Sequence, residues 1–436
     1  MSLRSFTQSP AGPSFRTPPT TADAPTRNDT PPSTGRTQLD YLVFSHLRWD
    51  FVFQRPQHLL TRCALFHRVF YVEEPLFDAC GTPPFLEIHQ KSGNLRIAVP
   101  HLPEDMNPAA VTAALRKLTS KLVSDANITN YVCWYYTPMA LPFTQHLKPS
   151  GVIYDCMDEL SLFQGAPPNL LDLEKQLFRH ADVVFTGGKT LFEHKKSYHS
   201  NIHPFPSSID AHHFAKARDR GLKEAADQSL IPGPKIGYFG VIDERMNLNL
   251  LSGIAATRPE WNLIMVGPTV KVDPATLPRA SNIHYLGART YEELPSYIRG
   301  WNVAILPFAL NDSTRFISPT KTPEYLAAGV GVVSTSIRDV VTPYGDRGLA
   351  LVADEIPDFV RAIDYQLAMT SHGTRQWLQE ADEFLGDLSW DRTWKQMRDL
   401  ITLAADAGRP ETPDLSTPAQ FTTGLSKPEG KPTVAS

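Results

Sequence analysis

The chain has 436 residues, 42% of them hydrophobic, and a formal net charge of −4, enough for two domains with full cores and no electrostatic invitation to nucleic acid. It contains no run of eighteen apolar residues, so no membrane span is expected, and residues 1–10 lack the apolar core of a signal peptide. Cys63, Cys80, Cys133 and Cys156 have no CxxC spacing and fall in or near apolar segments; they read as reduced thiols of a cytoplasmic protein, and no metal site is expected.

Residues 1–37 and 409–436 are rich in Pro, Thr and Ser with few apolar positions, and read as disordered tails that cannot bury enough surface to offset their ordering entropy. From residue 39 short apolar runs alternate with helical segments. Strands are expected at 39–45, 68–72, 95–99, 131–135, 151–155 and 182–186, and helices at 56–65, 108–123, 170–180 and 189–198. Residues 206–234 are polar and close on Ile-Pro-Gly-Pro, as a linker would. The alternation restarts with strands at 235–239, 261–266, 283–286, 303–307 and 331–335, interleaved with helices at 247–256, 291–299 and 323–328. Helices near 355–370, 373–384 and 389–405 end the series. Strands alternating with helices imply an α/β protein of two doubly wound parallel-sheet domains, 38–205 and 235–385, with a last helix in 386–408 packing back towards the first. Ligands in such sheets bind at the carboxyl ends of strands, and two such edges would face each other across a cleft.

Candidate site residues lie at those ends. The strand at 235–239 runs into Gly240-Val241-Ile242-Asp243-Glu244-Arg245: Gly240 would let a phosphate approach the backbone and Arg245 would clamp it, although a tight turn and a solvated arginine fit equally well. Gly267 and Gly287 end the next two strands. The stretch Ser318-Pro319-Thr320-Lys321-Thr322-Pro323-Glu324 reads as the start of a short helix, with Ser318, Thr320 and Thr322 as candidate caps. Unpaired N–H groups and Lys321 there would suit a diphosphate, and Glu324 could accept bonds from sugar hydroxyls; an ordinary capped helix remains the alternative. In the first half, Arg48, Trp49, Asp50 and Arg55 form a polar and aromatic loop that is either a sugar platform or local packing. Asp155, Asp158 and Glu159 place carboxylates at another strand end, where one could act as a base, although paired acids equally suit metal binding or helix capping. Thr186-Gly187-Gly188-Lys189 looks like a phosphate cradle but lacks the Walker spacing, and no Gly-x-Gly-x-x-Gly fingerprint follows a strand, which argues against a nicotinamide enzyme.

Four stretches taken together, Phe53-Gln54-Arg55-Pro56-Gln57-His58-Leu59-Leu60, Tyr154-Asp155-Cys156-Met157-Asp158-Glu159, the 240–245 loop and 318–329, resemble GT-B fold glycosyltransferases close to family 4. Within that group the chain is similar to bacterial teichuronic-acid and exopolysaccharide transferases. Ser207-Ser208-Ile209-Asp210 with Phe214 resembles the signature closing the first domain of that family. The resemblance implies a metal-independent, retaining transferase with no cofactor, moving a sugar from a uridine- or guanosine-diphosphate sugar to a polysaccharide, lipid-linked or other hydroxyl acceptor. A lipid-linked acceptor would add peripheral membrane contact without a spanning helix. By the same likeness Gly240, Arg245, Gly267, Gly287, Thr320, Lys321 and Glu324 hold the donor, and Arg48, Trp49, Asp50 and Arg55 the acceptor. Arg245 and Lys321 support the leaving diphosphate, and Asp158 stands near a polar catalytic position. The chain departs from the pattern where its first glutamate would fall, at Phe316, which leaves donor sugar and stereochemistry open. A nucleotide-sugar epimerase and a non-catalytic sugar-nucleotide-binding subunit are the alternatives.

Overall fold

The computed structural model describes residues 39–372 and 374–406; the tails read at 1–37 and 409–436 lie outside the described residues. The first sheet comprises β1 (Asp40–Phe44), β2 (Val69–Val72), β3 (Phe85–Ser92), β4 (Leu95–His101), β5 (Tyr131–Tyr135), β6 (Gly151–Cys156), β7 (Val183–Thr186) and β8 (Ile202–Pro204). Their spatial order is β3-β4-β2-β1-β5-β6-β7-β8. All neighbours are parallel except β3 and β4. The second sheet comprises β9 (Lys235–Phe239), β10 (Asn262–Val266), β11 (Ile283–Gly287), β12 (Val303–Leu306), β13 (Gly331–Ser334) and β14 (Ala350–Val352). It is parallel throughout, in the order β11-β10-β9-β12-β13-β14.

The central strands are continuous apolar runs such as Tyr-Leu-Val-Phe and Tyr-Val-Cys-Trp-Tyr, buried at every position, because helices cover both sheet faces. β3 escapes a search for such runs: its residues are mostly exposed, and its antiparallel pairing with β4, with Leu86 packed beneath, holds it on the sheet edge. β8 and β14, three residues each, are too short to carry a pattern.

Residues 206–234 form no bare connection. Helix Ala211–Ala215 carries Phe214 into the core of the second sheet together with Ile209 and Ala217. Gln228 is buried, accepting from the Trp301 indole at 2.8 Å and donating to the Tyr297 carbonyl at 2.9 Å. These few apolar and amide positions are diluted among charged residues, which makes the segment look polar in sequence. The last helix, Trp390–Asp406, crosses back: it lies against helix Arg55–Cys63 and against β6 and β7. Its Trp390, Trp394, Met397 and Ile401 share one core with Tyr41, Val43 and Trp134 of the first sheet.

Strand order reverses on either side of β1 in the first sheet and of β9 in the second. Such switch points open crevices at strand carboxyl ends, and the cavity between the domains is lined by the loops that follow β1, β6 and β7 on one side and β9, β10, β11 and β12 on the other.

Candidate active site

The wall from the second domain is built by interlocked backbone. Gly240 ends β9 with φ +134° and Gly267 ends β10 with φ +146°, a region that side-chain-bearing residues rarely enter. A Cβ on Gly267 would stand 1.9 Å from the Gly240 carbonyl oxygen, and one on Gly240 would stand 2.1 Å from Lys321 Cε. The missing side chains thus bring main chain and the Lys321 stem together at the cavity floor. The Gly267 amide donates to the Gly287 carbonyl at 2.8 Å, fixing the third strand end beside them; the residues after Gly287, Ala288 and Arg289, face the cavity.

Three charges converge on this floor. Arg245 is held by Asp243, its Nε donating to both carboxylate oxygens at 3.0 and 3.1 Å and its Nη2 at 2.6 Å. It also lies 5.7 Å over the Phe163 ring of the first domain. Burial works against the guanidinium charge, but Asp243 and Asp158 outweigh it and keep it firmly ionised. Nη1 takes no protein partner among the described residues, so part of the fork is free for a ligand. Lys321 opens helix Lys321–Ala327. Burial pulls its pKa down, with Glu324 opposing and Arg245 adding to the fall. Glu324 is almost wholly buried, and burial pushes its pKa up to about 8 against the pull of Lys321. Its Oε2 is enclosed without a hydrogen-bond partner, a costly state unless a ligand completes it. The helix has only seven residues, its N-cap Thr320 makes no side-chain cap bond, and Pro323 falls at the third helical position instead of the first. Thr322 is buried with its hydroxyl unpartnered. Anion binding here would therefore rest on Lys321 and Arg245 more than on a capped helix end.

Across the cavity, Asp158 follows β6. Burial raises its pKa to about 6, while Arg245 and Arg55 hold the rise back. Such a carboxylate is ionised at neutral pH yet basic enough to take a proton.

The acceptor platform expected at the end of β1 dissolves into structural roles. Arg48 is paired with Glu73 at 2.8 Å. Trp49 is buried edge-on to Tyr71 at 5.1 Å, and Asp50 pairs with Lys91 at 2.5 Å. None of the three lines the cavity; packing claims Trp49, and ion pairs within the first domain claim Arg48 and the exposed Asp50. Arg55 does reach it, but its guanidinium is committed to buried Asp155 at 2.9 Å and to the Phe205 carbonyl at 2.7 Å. The following residues, Phe51, Val52, Phe53 and Gln54, form that wall instead.

Phe316 leaves the cavity altogether. It packs into the core of the first domain, stacked on His194 at 4.5 Å with Arg315 over its other side at 5.2 Å. From this stretch it is Ile317, Ser318, Pro319 and Thr320 that line the cavity. The Gly187-Gly188 turn is likewise occupied from within. Asp339 of the second domain accepts from the amides of Lys189 and Thr190 at 3.0 and 3.1 Å and from the Thr190 hydroxyl. A Cβ on Gly188 would meet its Oδ2 at 2.4 Å. What looked like a cradle for phosphate is a latch between domains.

Sequence reasoning missed Tyr291, Asp243 and Asp339. Tyr291 lines the cavity and stacks on Phe53 of the first domain at 4.4 Å. Only Asp243, two residues before Arg245, carried a readable signal.

Residues 233–368 match the family model described as glycosyl transferases group 1. The second domain is a group 1 glycosyltransferase domain. The matched stretch contains every second-domain cavity residue discussed above. A Bacillus subtilis (strain 168) protein named as a teichuronic acid biosynthesis glycosyltransferase, TuaH, is 25% identical over 225 residues, covering 47% of this chain and 55% of that protein; the chain thus matches about half the length of this relative. Solved structures share the whole two-domain frame. Sucrose-phosphate synthase from Thermosynechococcus elongatus superposes with a TM-score of 0.62 at 15% identity over 85% of this chain and 100% of that one. Anabaena HepE, in complex with UDP and glucose, does so with a TM-score of 0.59 at 12% identity over 84% and 100%. The glycosyltransferase domain and its partner therefore adopt the GT-B fold, two Rossmann-like units facing across a cleft.

Proposed function

We propose that the chain transfers a sugar from a nucleoside diphosphate sugar to a hydroxyl acceptor, the second domain binding the donor. The observation that carries this reading is the cavity floor itself, where Lys321, the free part of the Arg245 fork and the unpartnered Glu324 oxygen surround backbone cleared by Gly240 and Gly267. Two cations suit a diphosphate and a buried carboxylate suits ribose hydroxyls. Charge growing on the departing diphosphate would be met by Arg245 and Lys321, groups already in place before reaction. Because these residues supply positive charge themselves, the reading needs no metal. Closure of the cleft around both substrates would orient them and exclude water.

We take the outcome to be retention, with the leaving diphosphate receiving the acceptor proton on the same face, as family 4 resemblance implies. Asp158 favours a second reading: a carboxylate near pKa 6 facing the donor floor could deprotonate the acceptor for inversion. Polysaccharide or lipid-linked acceptors of cell-wall assembly follow from the likeness to TuaH. The described residues contain no helix long and apolar enough to cross a membrane, so a lipid-linked acceptor would be met peripherally.

A panel of uridine- and guanosine-diphosphate sugars, screened by thermal shift and then by transfer with and without chelator, tests the proposal. A stabilising donor, chelator-resistant transfer and an axial or equatorial product signal by NMR would fix donor, metal need and stereochemistry. Failure of every diphosphate to bind would sink it, and turnover of donor without acceptor would favour the epimerase.

A further inference from the structure

The donor cavity contains a second enclosed polar atom with no protein partner. The Tyr291 hydroxyl is buried and unbonded, and its residue lines the same cavity as Glu324. Both faces of the ring are taken: Phe53 of the first domain stacks on it at 4.4 Å, and His213 at 4.1 Å and 11°. The edges of His58 and Phe214 meet it at 5.4 and 5.6 Å. The His213 ring is itself anchored, bonding the Tyr291 carbonyl at 2.9 Å. So boxed in, the phenol cannot stack on a nucleobase; it can offer a ligand only its hydroxyl. Burial keeps that hydroxyl protonated, which makes it a hydrogen-bond donor on the same cavity wall as the Glu324 carboxyl group. Leaving such a group empty is costly, and a ligand supplying an acceptor oxygen would relieve it.

Resting on the sugar-nucleotide reading above, we propose that Tyr291 is a donor-recognition residue whose hydroxyl hydrogen-bonds a ribose hydroxyl of the nucleotide, beside the Glu324 carboxylate. A vicinal diol presents donors and acceptors together, so a phenol and a carboxylate on neighbouring walls complete it from both sides.

The test uses the full chain and calorimetric titration with uridine diphosphate, guanosine diphosphate and inorganic pyrophosphate. Tyr291→Phe keeps the ring and its stacks and removes only an unpaired buried hydroxyl, so its melting temperature without ligand should be no lower than that of the wild type. Its affinity for the better nucleoside diphosphate should fall about five- to tenfold, the loss of one hydrogen bond, while pyrophosphate affinity stays unchanged. With the 2′,3′-dideoxy form of the same nucleotide the difference between wild type and Tyr291→Phe should vanish. Wild-type binding unaffected by Tyr291→Phe but weakened by Glu324→Gln would overturn this inference and leave the functional reading standing. A difference that persists with the dideoxy nucleotide would move the contact off the ribose and overturn it as well. If wild type binds no nucleoside diphosphate, the functional reading falls and this inference with it.

Discussion

Glu324 is asked to be a stable part of the fold and a waiting ligand group at once. Its folded pKa, about 8, exceeds that of a free glutamate near 4.3. Between those values the folded chain binds more protons than the unfolded one, so this residue's contribution to stability falls as pH rises through that window. Glu324→Gln should therefore raise the melting temperature relative to wild type at pH 8–9 and leave it nearly unchanged at pH 4–5. The same variant should weaken diphosphate binding, losing charge-assisted bonds of roughly 1.5–3 kcal/mol. Gain without ligand and loss with it, measured in one scanning series, would identify a site residue; loss in both would make Glu324 merely structural. Asp158 makes a kinetic prediction. If it is the base, kcat rises with pH along a limb near 6, its raised pKa, and Asp158→Asn removes both limb and turnover; a flat profile with an active variant leaves the leaving diphosphate as base. Arg55 differs in kind. Because its guanidinium neutralises fully buried Asp155, Arg55→Ala should destabilise the first domain by about 3–5 kcal/mol, read by urea unfolding. A simple rise in acceptor KM with unchanged stability would contradict that.

At the scale of elements, what the sequence disclosed and what it withheld follow from range. Buried parallel strands are local statements, and their residues could be read nearly to their ends, as at Lys235–Phe239 and Tyr131–Tyr135. Strand-end glycines were equally visible, because a glycine after an apolar run has few other uses. Arg48 and Trp49 were misjudged, and the place of Phe316 stayed unread, because their partners Glu73, Tyr71 and His194 come from other elements, and nothing in the residues' own neighbourhoods names them. The Asp339 latch is the extreme case, joining positions about 150 residues apart. Asp339→Ala strips the bonds that hold helix Lys189–Lys195 to the second domain and should cost roughly 1.5–3 kcal/mol. It should also separate the thermal unfolding of the two domains, visible as a broadened or split calorimetric transition; a single transition at the wild-type temperature would deny the latch any role. Gly267→Ala tests the floor: strain at φ +146° and the clash with the Gly240 carbonyl should cost at least about 2 kcal/mol and abolish donor binding, followed by denaturant titration and calorimetry.

For the molecule as a whole, the cavity belongs to neither domain alone. Phe53 meets Tyr291, Phe163 meets Arg245, and Gln164 donates its amide to Glu244 at 3.0 Å, so each domain supplies part of the other's wall. A donor binding across these contacts stabilises the whole by about 2.7 kcal/mol at a hundredfold excess over its Kd, and both domains should melt later together. The helix Trp390–Asp406 adds a constraint of another sort. Its Trp390, Trp394 and Met397 fill a core whose other wall is β1, among the earliest described residues. During synthesis the first domain would leave the ribosome early yet wait, its tryptophan-lined face bare, until nearly the last described residue had emerged. Meanwhile the second domain, whose core is complete by Leu388, could already have folded. Chains usually mature from the amino end as they are made; here the order is turned round, and the half made first is the half finished last.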